Sequence, residues 1–244
     1  MNGFLLIDKD PEWTSSDVVS KLRGVLREKR IGHAGTLDPM ATGLLIVMVG
    51  KCTKASDYIM KHDKEYVCTL RLGTVTDTQD IWGREIAPGY ELRSPESVTP
   101  GELEEVIKAF TGEQLQLPPM YSAIKIKGQK LYDIARKGGE VEREPRKITV
   151  HSIRLLEKKG NDCRLKISCS SGTYIRTLCN DIGERLGCGG CMAELRRTKI
   201  GSVGVEEAHR ISEIKDGEYL LPPDAPFCEL PEKIREKIMK ETYE

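Results

Sequence analysis

Hydrophobic positions along the chain switch between the period of a strand and the period of a helix. Short apolar runs at Phe4–Ile7 and Leu44–Val49 predict buried strands, and alternation between Glu65 and Gly73 predicts a strand with one buried face. Further strands are predicted at 147–156, 163–170 and near 200–205, and helices at about 18–26, 101–112 and 173–186. Because these elements do not follow a regular βαβ order, the sequence predicts the α+β class, with a mixed, largely antiparallel central sheet flanked by helices.

One predicted loop carries a carboxylate in a constrained position. The segment from Gly32 to Gly43 contains three glycines and a proline, which predicts a loop directly before a buried strand. Asp38 stands before Pro39 in this loop, and proline keeps its predecessor out of the helical region. Local chemistry alone favours an ordinary Asp-Pro turn over a functional site.

Composition and charge narrow the class of protein. The chain has 244 residues, of which 31% are charged and 39% hydrophobic, as expected for a soluble globular protein with one large domain or one domain and a small appendage. No apolar run approaches the roughly 18 residues that a membrane helix needs, and no signal peptide is recognisable, so we expect a cytoplasmic location without a membrane partner.

The local distribution of charge is compatible with a nucleic-acid partner. A net charge of zero argues mildly against one, but three basic clusters stand out locally. Such clusters are usually solvated faces. They consist of Lys21, Arg23, Arg27, Lys29 and Arg30; of Lys125, Lys127 and Lys130; and of Arg196, Arg197 and Lys199.

Eight cysteines include a single C-x-x-C pair, Cys188 and Cys191. A structural zinc site needs two further ligands at similar spacing, and no second pair exists. The sequence therefore favours a glycine-rich turn with small buried thiols, and a zinc or redox site remains an alternative.

Five ordered motifs between about residues 3 and 205 resemble the TruB family of pseudouridine synthases. Motifs of this length in this order are specific, unlike a lone short pattern. They are the Gly-His-Ala-Gly-Thr-Leu-Asp-Pro-Met-Ala-Thr-Gly-Leu-Leu stretch at 32–45, the opening at 4–15, Lys-Glu-Tyr at 64–66 with Leu-Arg-Leu-Gly at 70–73, Ser-Gly-Thr-Tyr-Ile-Arg-Thr at 171–177 and Leu-Arg-Arg at 195–197. The stretch Pro-Pro-Met-Tyr-Ser-Ala-Ile-Lys at 118–125 resembles the family's RNA-gripping insertion.

The resemblance implies a pseudouridine synthase fold and a tRNA substrate. We expect a catalytic domain at 1–215 with an RNA-binding insertion at about 112–146, followed by a linker or tail at 216–244 without the PUA domain that relatives commonly carry. Residues 232–244 are expected to form a solvent-exposed helix or a frayed tail. The implied reaction converts the T-loop uridine at tRNA position 55 to pseudouridine, with no metal, no cofactor and no obligate protein partner.

The resemblance also assigns roles to individual residues. Asp38 matches the nucleophile, which would form a covalent intermediate, Tyr66 matches the aromatic residue that stacks on the flipped base and moves a proton, and Arg176 matches the cation that pairs with the nucleophile. Without the family, Tyr66 is a core tyrosine and Arg176 a surface arginine. The remaining implied substrate-binding residues are His33, Tyr174, Leu195, Lys125 and Lys127. Asp77 and Asp80 are interpreted as parts of a structural or RNA-positioning loop rather than a metal site.

Three alternatives remain at this point. The first is a dyskerin-like synthase that depends on guide RNA and protein partners. The second is a non-catalytic RNA-binding or RNA-folding module that uses the same groove. The third is a metal-binding protein built on Cys188 and Cys191.

Overall fold

The structure, a computed structural model, describes residues 1–122, 125–126, 129–135, 139, 141–225 and 230–239; at 125–126, 129–130 and 133 it describes only the backbone. The strands are β1 (Gly3–Lys9), β2 (Ile31–Ala34), β3 (Thr42–Val49), β4 (Lys64–Leu72), β5 (Gly112–Gln116), β6 (Lys125–Ile126), β7 (Gln129–Lys130), β8 (Arg146–Lys159), β9 (Asp162–Cys169), β10 (Gly190–Ile200) and β11 (Val203–Gly204). The helices are α1 (Ser15–Leu26), α2 (Ser56–Ile59), α3 (Pro100–Ala109), α4 (Leu131–Ala135), α5 (Ile175–Arg185) and α6 (Glu232–Met239). Two compact units divide the chain, one of residues 1–66 with 196–244 and one of residues 67–195.

The first unit is built around β3. β1 pairs with it antiparallel, from Gly3 opposite Val49 to Lys9 opposite Gly43. β2 also pairs with it antiparallel, and β10 pairs with it in parallel at Arg197 and Gly43. Mixed pairing of this kind confirms the predicted α+β class with a largely antiparallel sheet.

Both faces of β1 and β3 are buried, which explains why these strands read as unbroken apolar runs. Leu5, Leu45 and Val47 pack on one face with the apolar side of α1, and Leu6 and Ile46 pack on the other with residues of α2 and α6. At the start of α1, the Thr14 side chain and Asp17 form a capping box that satisfies backbone amides of the first turn.

The second unit continues β4 and β10 and adds three antiparallel strands. Its strand order is β10-β4-β9-β8-β5, and β8 pairs antiparallel with both β9 and β5. α3 and α5 each bury an apolar stripe, with Leu103 and Ile107 from α3 and Leu178 and Ile182 from α5. β6 and β7 form a separate two-stranded hairpin inside the predicted insertion.

The structure corrects three of the sequence-based expectations. Residues 31–34 form β2 rather than a loop, because their backbone pairs with β3 despite Gly32. The strand expected near 200–205 is two elements: β10 ends at Ile200, and β11 turns back to pair with it. The C-terminal helix is not simply exposed, because Ile238 of α6 is fully buried in the core.

Across the residues that the structure describes, none of the helices combines the length and the apolar character that crossing a membrane requires.

Candidate active site

Asp38 lies on a short loop between β2 and β3 that backbone and side-chain hydrogen bonds hold in place. The Leu37 amide donates to Ser15 Oγ at 2.9 Å, and the Ala41 amide donates to the Asp38 carbonyl at 3.0 Å. Leu37 and Ala41 are buried, whereas Asp38 itself is partly exposed. The loop is therefore anchored on both sides of Asp38.

Lys9, at the end of β1, is a buried cation beside this loop. Its ammonium donates hydrogen bonds to the carbonyls of Trp13 at 2.7 Å, Asp10 at 2.9 Å and Pro39 at 3.3 Å. Burial lowers the pKa of Lys9 to about 8, and the negative charge of Asp38 opposes that shift more than any other charged neighbour. Lys9 therefore holds the backbone of Pro39, the residue after Asp38. Its positive charge interacts with the negative charge of Asp38.

Arg197, on β10, is a second buried cation and is 1% exposed. Its Nε donates to the Leu44 carbonyl at 2.7 Å and its Nη2 to the Gly35 carbonyl at 3.0 Å. Burial lowers the pKa of Arg197, and the Tyr66 side chain opposes that shift. Arg197 thus holds the chain on both sides of the Asp38 loop.

Gly43 explains how the two cations reach the same loop. In the sheet it lies opposite Lys9 of β1 and opposite Arg197 of β10. Its φ of +99° suits glycine, and a Cβ at this position would lie 2.3 Å from the Arg197 carbonyl oxygen. Only a residue without a side chain lets β10 approach this closely.

Tyr66 and His33 complete the part of the site that the first unit contains. Tyr66 lies on β4 and is 9% exposed, so its ring is largely covered. His33 lies on β2 with a buried Nδ1 that has no hydrogen-bond partner among the described residues. Burial, with a smaller effect from the Arg197 charge, lowers the pKa of His33 and favours the neutral imidazole.

In the second unit, Tyr174 is held at the start of α5. The Gln116 side chain accepts from the Tyr174 amide at 2.8 Å and donates to the Tyr174 carbonyl at 3.0 Å. This pair of bonds fixes the backbone of the residue that caps the helix. Tyr174 is partly exposed, and Leu195 on β10 is 8% exposed.

Arg176, in the first turn of α5, is 5% exposed, so its interpretation as a surface arginine is wrong. Its guanidinium donates to the Tyr121 carbonyl at 2.8 Å and to the Thr78 carbonyl at 3.2 Å, and it lies 3.5 Å from an Asp80 carboxylate oxygen. The other Asp80 oxygen accepts from Thr78 Oγ1 and from the Trp82 amide. These hydrogen bonds fix the Asp80 carboxylate within its turn, and the carboxylate in turn orients the buried Arg176 guanidinium.

The structure places the predicted site residues in two groups. Asp38, His33 and Tyr66 belong to the first unit, and Tyr174, Arg176 and Leu195 belong to the second. Lys125 contributes its backbone to β6, while its side chain and the whole of Lys127 lie outside the described residues.

Sequence reasoning missed the supporting residues Lys9, Arg197 and Gln116. Arg196 and Arg197 had been grouped with Lys199 as a basic surface cluster, but Arg197 is buried and Arg196 forms two hydrogen bonds, at 2.8 and 2.9 Å, with the Asp8 carboxylate. The signal of Lys9 and Arg197 in the sequence is a charge in or at the end of a buried strand, which a count of charges does not distinguish from a solvated face.

The cysteines that the structure describes give the metal alternative no ligand set. Cys188 and Cys191 are fully buried, and burial raises the pKa of the Cys191 thiol to about 11. Within the described part of the chain, no group of three or more histidine, cysteine, aspartate or glutamate side chains could hold a metal ion.

Comparisons with known proteins identify the family of the chain. Residues 23–175 match the N-terminal domain of the TruB family of pseudouridylate synthases, and residues 176–223 match the tRNA pseudouridylate synthase B C-terminal domain. A tRNA pseudouridine synthase B of Opitutus terrae is 48% identical over 88% of both chains. That of Clostridium tetani is 44% identical over 92% of this chain and 77% of its own.

A solved structure extends the likeness to the fold. A chain in the crystal structure of a Cbf5-Nop10-Gar1 complex aligns with a TM-score of 0.67 and 29% identity. The alignment covers 96% of this chain and 59% of that one. Fold and sequence together define a pseudouridine synthase. The chain belongs to the TruB family of pseudouridylate synthases, and it is an isomerase.

Proposed function

We propose that this chain is a tRNA pseudouridine synthase that isomerises the T-loop uridine at position 55 of tRNA, with Asp38 as the nucleophile. The observation that carries the proposal is the Asp38 loop itself. Two buried cations, Lys9 and Arg197, hold it in place. A carboxylate fixed in this way is prepared to attack without reorganising its surroundings.

The reaction breaks the N-glycosidic bond of the uridine and rejoins the base to the ribose through carbon. Covalent attack by Asp38 divides this into two easier steps. The family role of Arg176 is to supply the positive charge that favours the ionised Asp38. Asp80 supports this role because it keeps the Arg176 guanidinium in one orientation.

The target base must leave its RNA loop before it can react. In our proposal Tyr66 stacks on the flipped base, Tyr174 and Leu195 line its pocket, and His33 fills the space that it vacates. A neutral His33 suits that place, since a charged imidazole inside a stack of bases would lose its hydration. Lys125 and Lys127 would contact phosphates of the T-arm.

The decisive measurement is tritium release from tRNA labelled at carbon five of uracil. We expect the purified chain to release tritium from full tRNA and from a T-arm hairpin. Asp38→Asn should abolish release and leave RNA binding within about threefold, because the change removes the nucleophile and little volume. Asp57→Asn, at an exposed position of α2, is the matched control and should leave release unchanged.

A guide-dependent synthase is the second candidate, favoured by the likeness to a chain of the Cbf5-Nop10-Gar1 complex. The same assay separates the two. Release by the purified chain alone supports the tRNA-specific enzyme, whereas release only after addition of a guide RNA or partner proteins supports the alternative. A chain that binds tRNA and releases no tritium under either condition would be a non-catalytic RNA-binding module.

A further inference from the structure

Trp82 is a large aromatic side chain that remains mostly in contact with solvent. It is one of two tryptophans in the chain and is 58% exposed. Tryptophan is on average highly buried, because its large apolar surface gains from leaving water. A single exposed apolar side chain needs no explanation by itself. The case for a function of Trp82 therefore depends on where the fold holds it.

A tight turn between Asp80 and Gly83 holds the backbone of Trp82. The Gly83 amide donates to the Asp80 carbonyl at 3.1 Å, and the Trp82 amide donates to Asp80 Oδ1 at 3.1 Å. Thr76 Oγ1 donates to the same Asp80 carbonyl at 2.7 Å. A Cβ on Gly83 would lie 2.2 Å from Thr78 Oγ1, so the turn is closely packed. Because the backbone of Trp82 is fixed before a ligand arrives, binding there costs less conformational entropy.

Asp80 links this turn to the candidate site. One oxygen of its carboxylate accepts from the Trp82 amide, and the other lies 3.5 Å from Arg176 Nη1. All three residues belong to the second unit. A single carboxylate group therefore separates the backbone of Trp82 from the arginine that the proposed function places at the reacting nucleotide. An RNA loop bound at Arg176 brings its other nucleotides close to the Trp82 turn.

Arg84 supplies an exposed cation near Trp82. It follows Trp82 by two residues and stands next to the exposed Glu85. The charge of the other nearby acid, Asp80, is balanced by Arg176. A guanidinium donates paired hydrogen bonds to a phosphate, which makes arginine a frequent phosphate contact. The segment thus presents an aromatic ring and a cation close together in the chain.

An unpaired nucleotide is the ligand that fits this combination. Bases of RNA loops are recognised by stacking on aromatic side chains, and every base offers a flat face for stacking. The phosphate next to the base carries the negative charge that an exposed arginine attracts. The T-loop RNA of the proposed function supplies both groups.

We propose that Trp82 is a substrate-binding residue on which an unpaired base of the RNA loop, other than the target uridine, stacks, and that Arg84 contacts the adjoining phosphate. The inference rests on the proposed function, because it takes the same RNA as ligand. Trp82 does not touch the reacting atoms in this arrangement. It stabilises the bound RNA equally before and during the reaction, so it contributes to affinity rather than to the maximal rate.

The first test follows tryptophan fluorescence while a T-arm hairpin is titrated into the purified chain. Stacking of a base on an indole quenches its fluorescence, and Trp82→Phe leaves Trp13 as the remaining tryptophan. We expect the hairpin to quench the unmodified chain and the quenching to be lost in Trp82→Phe, although the RNA still binds. Hairpins that each lack one loop base should identify the stacked nucleotide, since one of them binds with less quenching. Binding with no quenching, or with equal quenching in both proteins, overturns the proposal.

This fluorescence measurement needs no turnover, so its outcome is separate from that of the tritium assay. Quenching at Trp82 without tritium release would contradict the proposed function and support the stacking site. Tritium release without quenching at Trp82 would do the reverse. A chain that binds no T-arm RNA contradicts both.

The second test compares Trp82→Ala and Trp82→Phe in hairpin binding and in tritium release. Trp82→Ala should weaken binding about 5- to 100-fold, and Trp82→Phe by less than about threefold because it keeps an aromatic ring. The loss should appear in the RNA concentration that gives half-maximal release rather than in the rate at saturation. Leu156→Ala removes another exposed apolar side chain of the second unit and is the control, with no change in affinity expected. Unchanged affinity in Trp82→Ala, or equal losses in the two Trp82 variants, contradicts stacking.

Arg84→Gln tests the phosphate contact separately. It should weaken binding and reduce the slope of log affinity against log salt concentration by about 1, because one fewer phosphate is neutralised. Trp82→Ala should leave that slope unchanged, since stacking releases no counterion. An Arg84→Gln variant with the salt dependence of the unmodified chain overturns the role of Arg84.

Discussion

Because Lys9 is buried beside Asp38, the free energy of unfolding should depend on whether Lys9 is protonated, and therefore on pH. The pKa of Lys9 in the folded protein is about 8, against 10.5 for an ordinary lysine. Between these values the unfolded chain keeps a proton that the folded chain has released. Raising the pH through this window therefore favours the folded state, and the free energy of unfolding should increase.

We expect the unfolding free energy of the unmodified chain to gain about 2 kcal/mol over Lys9→Met between pH 8 and pH 10, measured by urea denaturation. The comparison cancels the titration of other groups. Lys61→Met removes an exposed lysine by the same change and serves as the control. Parallel pH profiles for the unmodified chain and Lys9→Met would show that Lys9 titrates as an ordinary lysine.

At the scale of elements, the close approach of β10 to β3 depends on one glycine. Gly43 has φ +99°, and an added Cβ would lie 2.3 Å from the Arg197 carbonyl oxygen and 2.9 Å from the Arg197 amide nitrogen. These are backbone atoms of a paired strand, so they cannot move aside as a flexible side chain would. Gly43→Ala should lower the free energy of unfolding by about 3 kcal/mol or more.

Gly24 provides a matched control for this substitution. It lies inside α1, and an added Cβ would meet nothing within 4 Å. Gly24→Ala should raise the unfolding free energy by up to about 1 kcal/mol, because alanine is the better helix former. Equal effects of the two substitutions in urea denaturation would contradict the account of β10 and β3.

The same elements show what the sequence could and could not predict. β1 and β3 were predictable because both faces are buried and the apolar runs are unbroken. The start of α1 was predictable because Thr14 and Asp17 form a local motif. β2 was not, because its pairing with β3 comes from backbone bonds that its own residue types do not favour.

The same distinction between local motifs and strand pairing applies to the residues of the candidate site. Asp38 was identified from a motif that is contiguous in sequence. Lys9 and Arg197 were not, because they reach the Asp38 loop only when β1 and β10 flank Gly43. Charge and spacing cannot reveal a contact between residues as distant in the chain as Leu44 and Arg197, which are 153 residues apart.

At the scale of the molecule, the N-terminal and C-terminal segments fold as one unit. Phe4 and Leu221 exchange two backbone hydrogen bonds of 2.9 and 2.8 Å, and the His209 carbonyl accepts from the Asp8 amide at 2.9 Å. These bonds cover the outer edge of β1, which would otherwise present unpaired backbone groups. Backbone hydrogen bonds therefore join the chain at His209 and Leu221 to β1.

Ile238 is the side chain that tests this connection. It is fully buried in the cluster that includes Cys52, Ala55 and Ile59. Ile238→Ala should lower the free energy of unfolding by about 2–4 kcal/mol, because it removes buried methyl groups and leaves a cavity. The exposed Lys233 of the same helix is the control, and Lys233→Ala should change stability by less than about 0.5 kcal/mol. If α6 were a frayed tail, both substitutions would be neutral in urea denaturation. If it belongs to the core of the first unit, Ile238→Ala should also lower the temperature at which tritium release is lost, although the substitution lies 200 residues from Asp38 in the chain.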